Sequence, residues 1–233
     1  MTTCRLFVTG TDTGVGKTRI AVGLCLAFAA MARRVAAMKP VASGCRETPD
    51  GLRNDDAEAL QQAMTVRAGY RDVNPYAFLP AIAPHIAAQE AGTAIDFDVL
   101  DRHYQRLRLQ SDVMIVEGAG GWLAPLDARR TFADLALQWQ LDVVMVVGLR
   151  LGCLNHALLT AESVERRGLR LAGWVGNAVD PNFERTRENV RTLAARIAAP
   201  CLGSFAYAPQ ADASDTAKAL MPAVSVLVPA AIP

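Results

Sequence analysis

Short apolar runs rich in β-branched residues alternate along this chain with longer stretches of helical periodicity. The runs Arg5–Thr9, Val35–Lys39, Val113–Glu117, Val143–Val147, Ala172–Asn177 and Cys201–Phe205 read as strands. Several are apolar throughout instead of at every second position, the mark of strands buried on both faces. The stretches Thr18–Arg33, Asp56–Met64, Asp98–Leu109, Phe132–Gln140, Asn155–Arg167 and Phe183–Ala198 read as helices. This alternation predicts an α/β fold, a mostly parallel sheet with helices on both faces. No repeat or low-complexity linker interrupts it, so residues 1–233 read as a single domain. The Ala- and Pro-rich end, Pro222 to Pro233, reads as a strand followed by a loose tail.

In a parallel sheet, ligands gather beyond the carboxyl ends of the strands. The first strand runs into Gly10-Thr-Asp-Thr-Gly14-Val15-Gly16-Lys17-Thr18 and then into an apolar helix. Strand, glycine loop and helix are the setting that a phosphate-binding loop needs. Glycines let backbone N–H groups converge on phosphate oxygens at the positive end of the helix dipole. Lys17 adds a full charge for the β- and γ-phosphates, and the Thr18 hydroxyl suits Mg²⁺. The loop is a variant. The strict pattern has a glycine six residues before the lysine; Thr11 stands there, and Gly10 is one place early. Together these features predict a P-loop NTPase-like fold that binds a nucleoside triphosphate.

Other strand ends carry complementary chemistry. Glu117 closes an apolar strand and precedes Gly118-Ala-Gly120-Gly121, the place of an acidic Mg²⁺ ligand with room for a close substrate. Asp55 and Asp56 are both candidates for a further carboxylate ligand. Lys39 leaves a buried strand just before Ser43-Gly44, placed to hold a second anion against the γ-phosphate. Gly152-Cys153-Leu154-Asn155 reads as a loop into a helix, with Asn155 as N-cap, and free N–H groups there suit a carboxylate. Asn177 offers both donor and acceptor, suited to an adenine edge. His85, in a Pro-bounded segment, reads as structural.

Composition removes several function classes. The balance of 24 basic and 23 acidic residues, a net charge of +1, leaves no electrostatic footprint for nucleic acid. The five cysteines (Cys4, Cys25, Cys45, Cys153 and Cys201) are odd in number and without C-x-x-C spacing, so neither a disulfide framework nor a zinc site is expected. Reduced thiols in a cytoplasmic protein fit this usage. The longest apolar stretch, Ile20 to Ala32, falls short of the roughly 20 residues that span a bilayer, and no signal-peptide layout is present.

With these motifs in place, the chain resembles the dethiobiotin synthetase family. The resemblance runs from Phe7 to about Gly203. It rests on Phe7-Val-Thr-Gly-Thr-Asp-Thr13, Val15-Gly-Lys-Thr18, Lys39-Pro-Val-Ala-Ser-Gly44, Gly51-Leu-Arg-Asn54 with Asp56, and Asn74-Pro-Tyr76. It extends through Pro84-His85, Val116-Glu-Gly-Ala-Gly-Gly-Trp122, Leu151-Gly-Cys-Leu-Asn-His156 and Ala172-Gly-Trp-Val-Gly-Asn177. The resemblance implies an ATP-dependent ligase of biotin biosynthesis, with 7,8-diaminononanoate, CO₂ and MgATP as substrates, working as a homodimer. It implies Thr18, Asp56 and Glu117 as Mg²⁺ ligands. It places Lys17 and Lys39 beside phosphate and carbamate, with Thr13 and Ser43 at the reacting groups. Gly14, Val15, Gly16, Lys17 and Thr18 would surround the nucleotide, and Asn177 would read adenine. Ser43 and Gly118 would meet the substrate. The Gly152–Asn155 backbone of one subunit would hold the substrate's distal carboxylate for the other subunit's site.

Three positions depart from the family's pattern. Gly14 stands where some members carry an acidic residue, and Ala178 where some are polar. Ser204-Phe-Ala-Tyr-Ala-Pro209 replaces a more usual Ile-Pro type, which leaves base contacts and nucleotide preference open. Two other classes compete. Partitioning and septum-positioning ATPases resemble this fold but carry a lysine early in the loop, where Asp12 stands here. A cobyrinate-amidase-type ligase would need a glutaminase domain, for which the stretch beyond Gly203 reads as too short.

Overall fold

The six expected strands pair side by side into one parallel sheet in the computed structural model, which describes residues 3–228. In chain order the elements are β1 (Cys4–Gly10), α1 (Lys17–Ala30), β2 (Val35–Met38), β3 (Val41–Ala42), β4 (Arg46–Thr48), β5 (Gly51–Arg53), α2 (Asp55–Ala63), α3 (Tyr70–Val73), β6 (Tyr76–Ala77) and α4 (Pro84–Glu90). They continue as α5 (Phe97–Leu109), β7 (Val113–Glu117), α6 (Phe132–Gln138), β8 (Asp142–Leu149), α7 (Cys153–Arg166), β9 (Leu171–Ala178), α8 (Thr186–Arg196), β10 (Cys201–Phe205) and α9 (Ala213–Leu227). The sheet order is β2-β7-β1-β8-β9-β10.

β1 is central, with Leu6 opposite Ile115 on one side and Asp142 on the other. From β7 the chain crosses over β1 to reach β8, so the crevice for a ligand opens beyond β1, where the glycine loop begins. Alternation along β1 divides the core. Leu6 and Val8 face the layer of α1, α2 and α9, while Phe7 faces the layer of α4 to α8. Phe7 packs edge-on to Trp122, with ring centroids 5.9 Å apart. Its ring also lies directly under Gly118, where a Cβ would come within 2.9 Å. The core thereby sets the height of the glycine-rich turn after β7.

The chain's end differs from expectation. Pro222 lies inside α9, which runs on to Leu227, so this part is neither a strand nor a loose tail; residues 229–233 lie outside the described residues. An interior proline costs a helix about 3 kcal/mol. The apolar stripe of Ala217, Leu220, Val224 and Leu227, buried against α1, outweighs that cost. The short ribbons β3–β6 and β4–β5 and the small helices α3 and α4 add to the expected elements. Asn155 is not the N-cap of α7. Gly152 caps it at φ +93°, so Asn155 lies inside the first turn. No helix among the described residues is long and apolar enough to cross a membrane, and all five cysteines are free.

Candidate active site

A cavity of about 730 Å³ opens at the carboxyl ends of β1, β2 and β7. Thr13, Gly14, Gly16, Lys17, Thr18, Lys39, Ser43, Asp56 and Glu117 line it. The glycine loop forms one wall and Ala119–Gly121 another. Backbone bonds from Thr11 to Val146 (2.9 Å) and from Gly118 to Val8 (3.1 Å) fasten both walls to the sheet.

Two buried lysines face this space. Lys17 donates to the Asp12 carbonyl at 3.0 Å. Its own burial, and then the nearby Lys39, push its ammonium down to about 8. The folded pKa lies below the unfolded one, so holding Lys17 charged costs stability at neutral pH, and a bound polyphosphate relieves that cost. Lys39 has no such deficit. It donates to Glu117 Oε1 at 2.6 Å, Asp56 Oδ2 at 2.9 Å and the Gly118 carbonyl at 3.3 Å. Burial works against its charge, but Glu117 and Asp56 prevail and hold it above the ordinary lysine range. Its backbone is pinned by Asn74, whose Nδ2 donates to the Lys39 carbonyl at 2.7 Å.

Glu117 is fully buried, and its Oε1 also accepts from Thr18 Oγ1 at 2.8 Å. Burial is the largest influence on this carboxyl and pushes it up. Asp56 is pulled down, Lys39 outweighing its burial. Geometry separates the two aspartates. Asp55 turns to Arg46 of the β4–β5 ribbon, while Asp56 meets Lys39. Asn54 caps α2 by accepting from Ala57 N at 3.2 Å, and so presents Asp56 in the first turn.

The donor set suits a hard divalent cation. Glu117 Oε2 is buried without a hydrogen-bond partner, a deficit that a cation meets. No group of three or more His, Cys, Asp or Glu residues among the described residues could hold a metal alone. Two carboxylates and a hydroxyl match Mg²⁺, which keeps water and phosphate oxygens in its shell.

Other expected residues stand apart. Val15 is buried behind the loop, and Gly118 meets the site through its carbonyl. Gly14 has φ +72°, and a side chain there would meet nothing within 4 Å, so the place of the missing acidic residue is open. Gly152, Cys153, Leu154 and Asn155 do not line the cavity of their own chain. Asn177 is also outside it, bonded to the loop at Val15 O (2.9 Å) and to Arg19 (3.0 Å). Arg19 and the Arg150–Asp12 ion pair support the loop and were not singled out from the sequence. Both bridge residues more than 130 positions apart, so no local pattern marks them.

The loop's fit against Asn177 yields a prediction. Gly16 has φ +93°, and a Cβ there would fall 2.4 Å from Asn177 Nδ2. Gly16→Ala is expected to weaken nucleotide binding by at least about tenfold, from backbone strain of order 1–3 kcal/mol plus that clash. Calorimetric titration with ATP checks it; unchanged affinity would show that the loop re-forms without this contact.

The family model AAA_26, described as an AAA domain, matches residues 4–215. A Pseudomonas aeruginosa protein (strain UCBPP-PA14) named ATP-dependent dethiobiotin synthetase BioD is 54% identical over 198 residues, covering 84% of this chain and 87% of its own length. A Xanthomonas oryzae pv. oryzae protein (strain PXO99A) of the same name is 46% identical over 214 residues, covering 92% and 96%. Among solved structures, the MinD cell division protein of Aquifex aeolicus matches with a TM-score of 0.59 at 15% identity, covering 98% of each chain. A ParA family ATPase from Chlorobium tepidum TLS matches with a TM-score of 0.54 at 16% identity, covering 96% of this chain and 91% of its own. At these identities the two structures share a fold, that of P-loop NTPases, and no more.

Proposed function

We propose that this chain, which belongs to the ATP-dependent dethiobiotin synthetase family, joins 7,8-diaminononanoate and CO₂ into the cyclic urea of dethiobiotin, with ATP converted to ADP and phosphate. The observation that carries this reading is the pair of buried lysines on one cavity. The reaction must press one anion, a carbamate, against another, the γ-phosphate, and two cations on one cavity offset that repulsion.

One substrate amine captures CO₂ as a carbamate and releases a proton. Lys39, with Ser43 beside it, holds the carbamate. Lys17 and the loop N–H groups hold the phosphates, and Thr13 stands at the reacting groups. The carbamate oxygen attacks the γ-phosphorus, the bond to the bridging oxygen breaks, and ADP leaves. The second amine then attacks the carbonyl carbon of the mixed anhydride, loses its proton and expels phosphate. Catalysis is mainly positioning and charge neutralisation. Thr18, Asp56 and Glu117 are the residues that would hold Mg²⁺, which supplies further positive charge at the phosphates. If this sequence holds, CO₂ labelled with ¹⁸O and consumed before exchange with water places one label in the released phosphate. Unlabelled phosphate would count against attack by a carbamate oxygen.

We further propose a homodimer in which the Gly152–Asn155 turn serves the partner's site. Two features support it: the turn lies off its own chain's cavity, and Leu151 beside it is 92% exposed. Leu154→Pro removes one free N–H near the start of α7, where proline is tolerated. It should lose most of its activity alone, as should Lys39→Met, and mixing the two should restore part of it. No recovery after subunit exchange would mean that each site is built from one chain.

A further inference from the structure

The phenol of Tyr70 joins the segments that carry Lys39, Ser43 and Asp56, and it does so from outside the cavity. Tyr70 opens α3 and does not line the cavity. Its oxygen accepts from the Asn54 backbone N–H at 2.8 Å, and its hydroxyl donates to Asn74 Oδ1 at 3.0 Å. These directions are fixed. A backbone N–H only donates, and Asn74 Nδ2 spends its hydrogens on the carbonyls of Lys39 (2.7 Å) and Tyr76 (3.1 Å), which leaves Oδ1 to accept. Asn54 and Asn74 are both buried. On one side, Asn54 caps the helix that presents Asp56, and its Nδ2 donates to the Ser43 carbonyl at 3.4 Å. On the other side, Lys39 follows the last residue of β2 and is bracketed by residues 73 and 74. Its N–H donates to the Val73 carbonyl at 2.8 Å, and its carbonyl accepts from Asn74. The Arg53 guanidinium carbon, 4.3 Å from the centre of the Tyr70 ring, covers the phenol.

The Lys39–Asp56 ion pair spans the same two segments at 2.9 Å. Loading the site gives each member another partner, the carbamate for Lys39 and Mg²⁺ for Asp56, so the pair alone is a poor spacer during the reaction. The Tyr70 chain uses backbone and capping groups that no ligand claims. We propose that Tyr70 is a positioning residue of this reaction: its hydroxyl keeps Lys39 and Ser43 at a fixed spacing from Asp56 while both ends of the ion pair are given to substrate and metal. The inference rests on the roles proposed above for Lys39 and Asp56. Partners that orient metal ligands from behind are worth about 10- to 100-fold in metal affinity or activity.

Tyr70→Phe in the full chain tests this, because it deletes one oxygen and keeps the ring. Its kcat should fall about tenfold, and the Mg²⁺ concentration at which ATP binding is half-tightened should rise about tenfold. ATP affinity without Mg²⁺ should stay as in wild type, since Lys17 and the glycine loop are untouched. A phenol of merely structural value would lower the melting temperature and leave kcat and the Mg²⁺ requirement of the folded protein unchanged; that result overturns the inference. Asn74→Ser is the second variant. It leaves the Asn54 cap in place and cuts the arm to Lys39, so its kcat should fall similarly. An unchanged kcat in Asn74→Ser overturns the inference even where Tyr70→Phe does not fold. The Mg²⁺ titration reads ATP binding alone and does not depend on the synthetase reaction. A shifted Mg²⁺ requirement in a protein without diamine-dependent turnover would remove the synthetase reading and keep the tie between Tyr70 and Asp56.

Discussion

Lys39→Met is expected to lose roughly 10² to 10³ in kcat, the range for removing one preorganised charge-stabilising donor. Its affinity for ATP should stay close to that of wild type, because Lys17 and the loop backbone, not Lys39, hold the phosphates in this account. Methionine keeps most of the lysine's bulk, so packing is preserved. The ligand-free protein nevertheless suffers. Lys39 meets the buried Glu117 at 2.6 Å and Asp56 at 2.9 Å. Removing one partner of a buried ion pair costs about 3–5 kcal/mol. The variant should therefore melt earlier than wild type without ligand and recover more of its stability with MgATP, since bound cation restores the missing positive charge. Single-turnover phosphate release, run beside a binding titration, separates the two roles. Normal single-turnover chemistry with weak ATP binding would move Lys39 from the reacting carbamate to the nucleotide.

Glu117→Gln carries the second large effect. The substitution keeps shape and removes the charge of a fully buried carboxylate. Glu117 accepts from Thr18 at 2.8 Å and leaves its second oxygen without a partner, the deficit attributed here to Mg²⁺. Turnover should fall by about 10² or more, as for loss of one electrostatic group. The tightening of nucleotide binding by Mg²⁺ should largely disappear, while metal-free binding changes little. Titrating ATP affinity against Mg²⁺ reads this directly. If Mg²⁺ tightens binding to the variant as strongly as to wild type, Glu117 is not a ligand.

The sheet was legible because its strands are buried on both faces, and full apolar runs such as Val113–Val116 have no other use. The strand-end rule then located Lys39 and Glu117, which the fold brings within 2.6 Å although 78 positions separate them. What stayed hidden depends on distant geometry. Asp55 and Asp56 are equivalent in sequence, and only the fold separates them, turning Asp55 to the Arg46 ribbon and Asp56 to Lys39. Arg19 is one more polar residue in a helix until β9 and α9 are seen to meet around it. Pro222 misled because a breaker outweighs a weak helical pattern when the packing partner, α1, is unseen. Asn155 misled for the opposite reason: a good capping residue stood where Gly152, at positive φ, had already begun the helix.

Diamine-dependent phosphate release is the most direct test of the synthetase assignment. Purified protein with MgATP and bicarbonate should release phosphate only when 7,8-diaminononanoate is added, and mass spectrometry should find the cyclic urea in matching amount. ATP hydrolysis indifferent to the diamine, with no urea formed, would contradict the account and favour an ATPase of the partitioning or septum-positioning type.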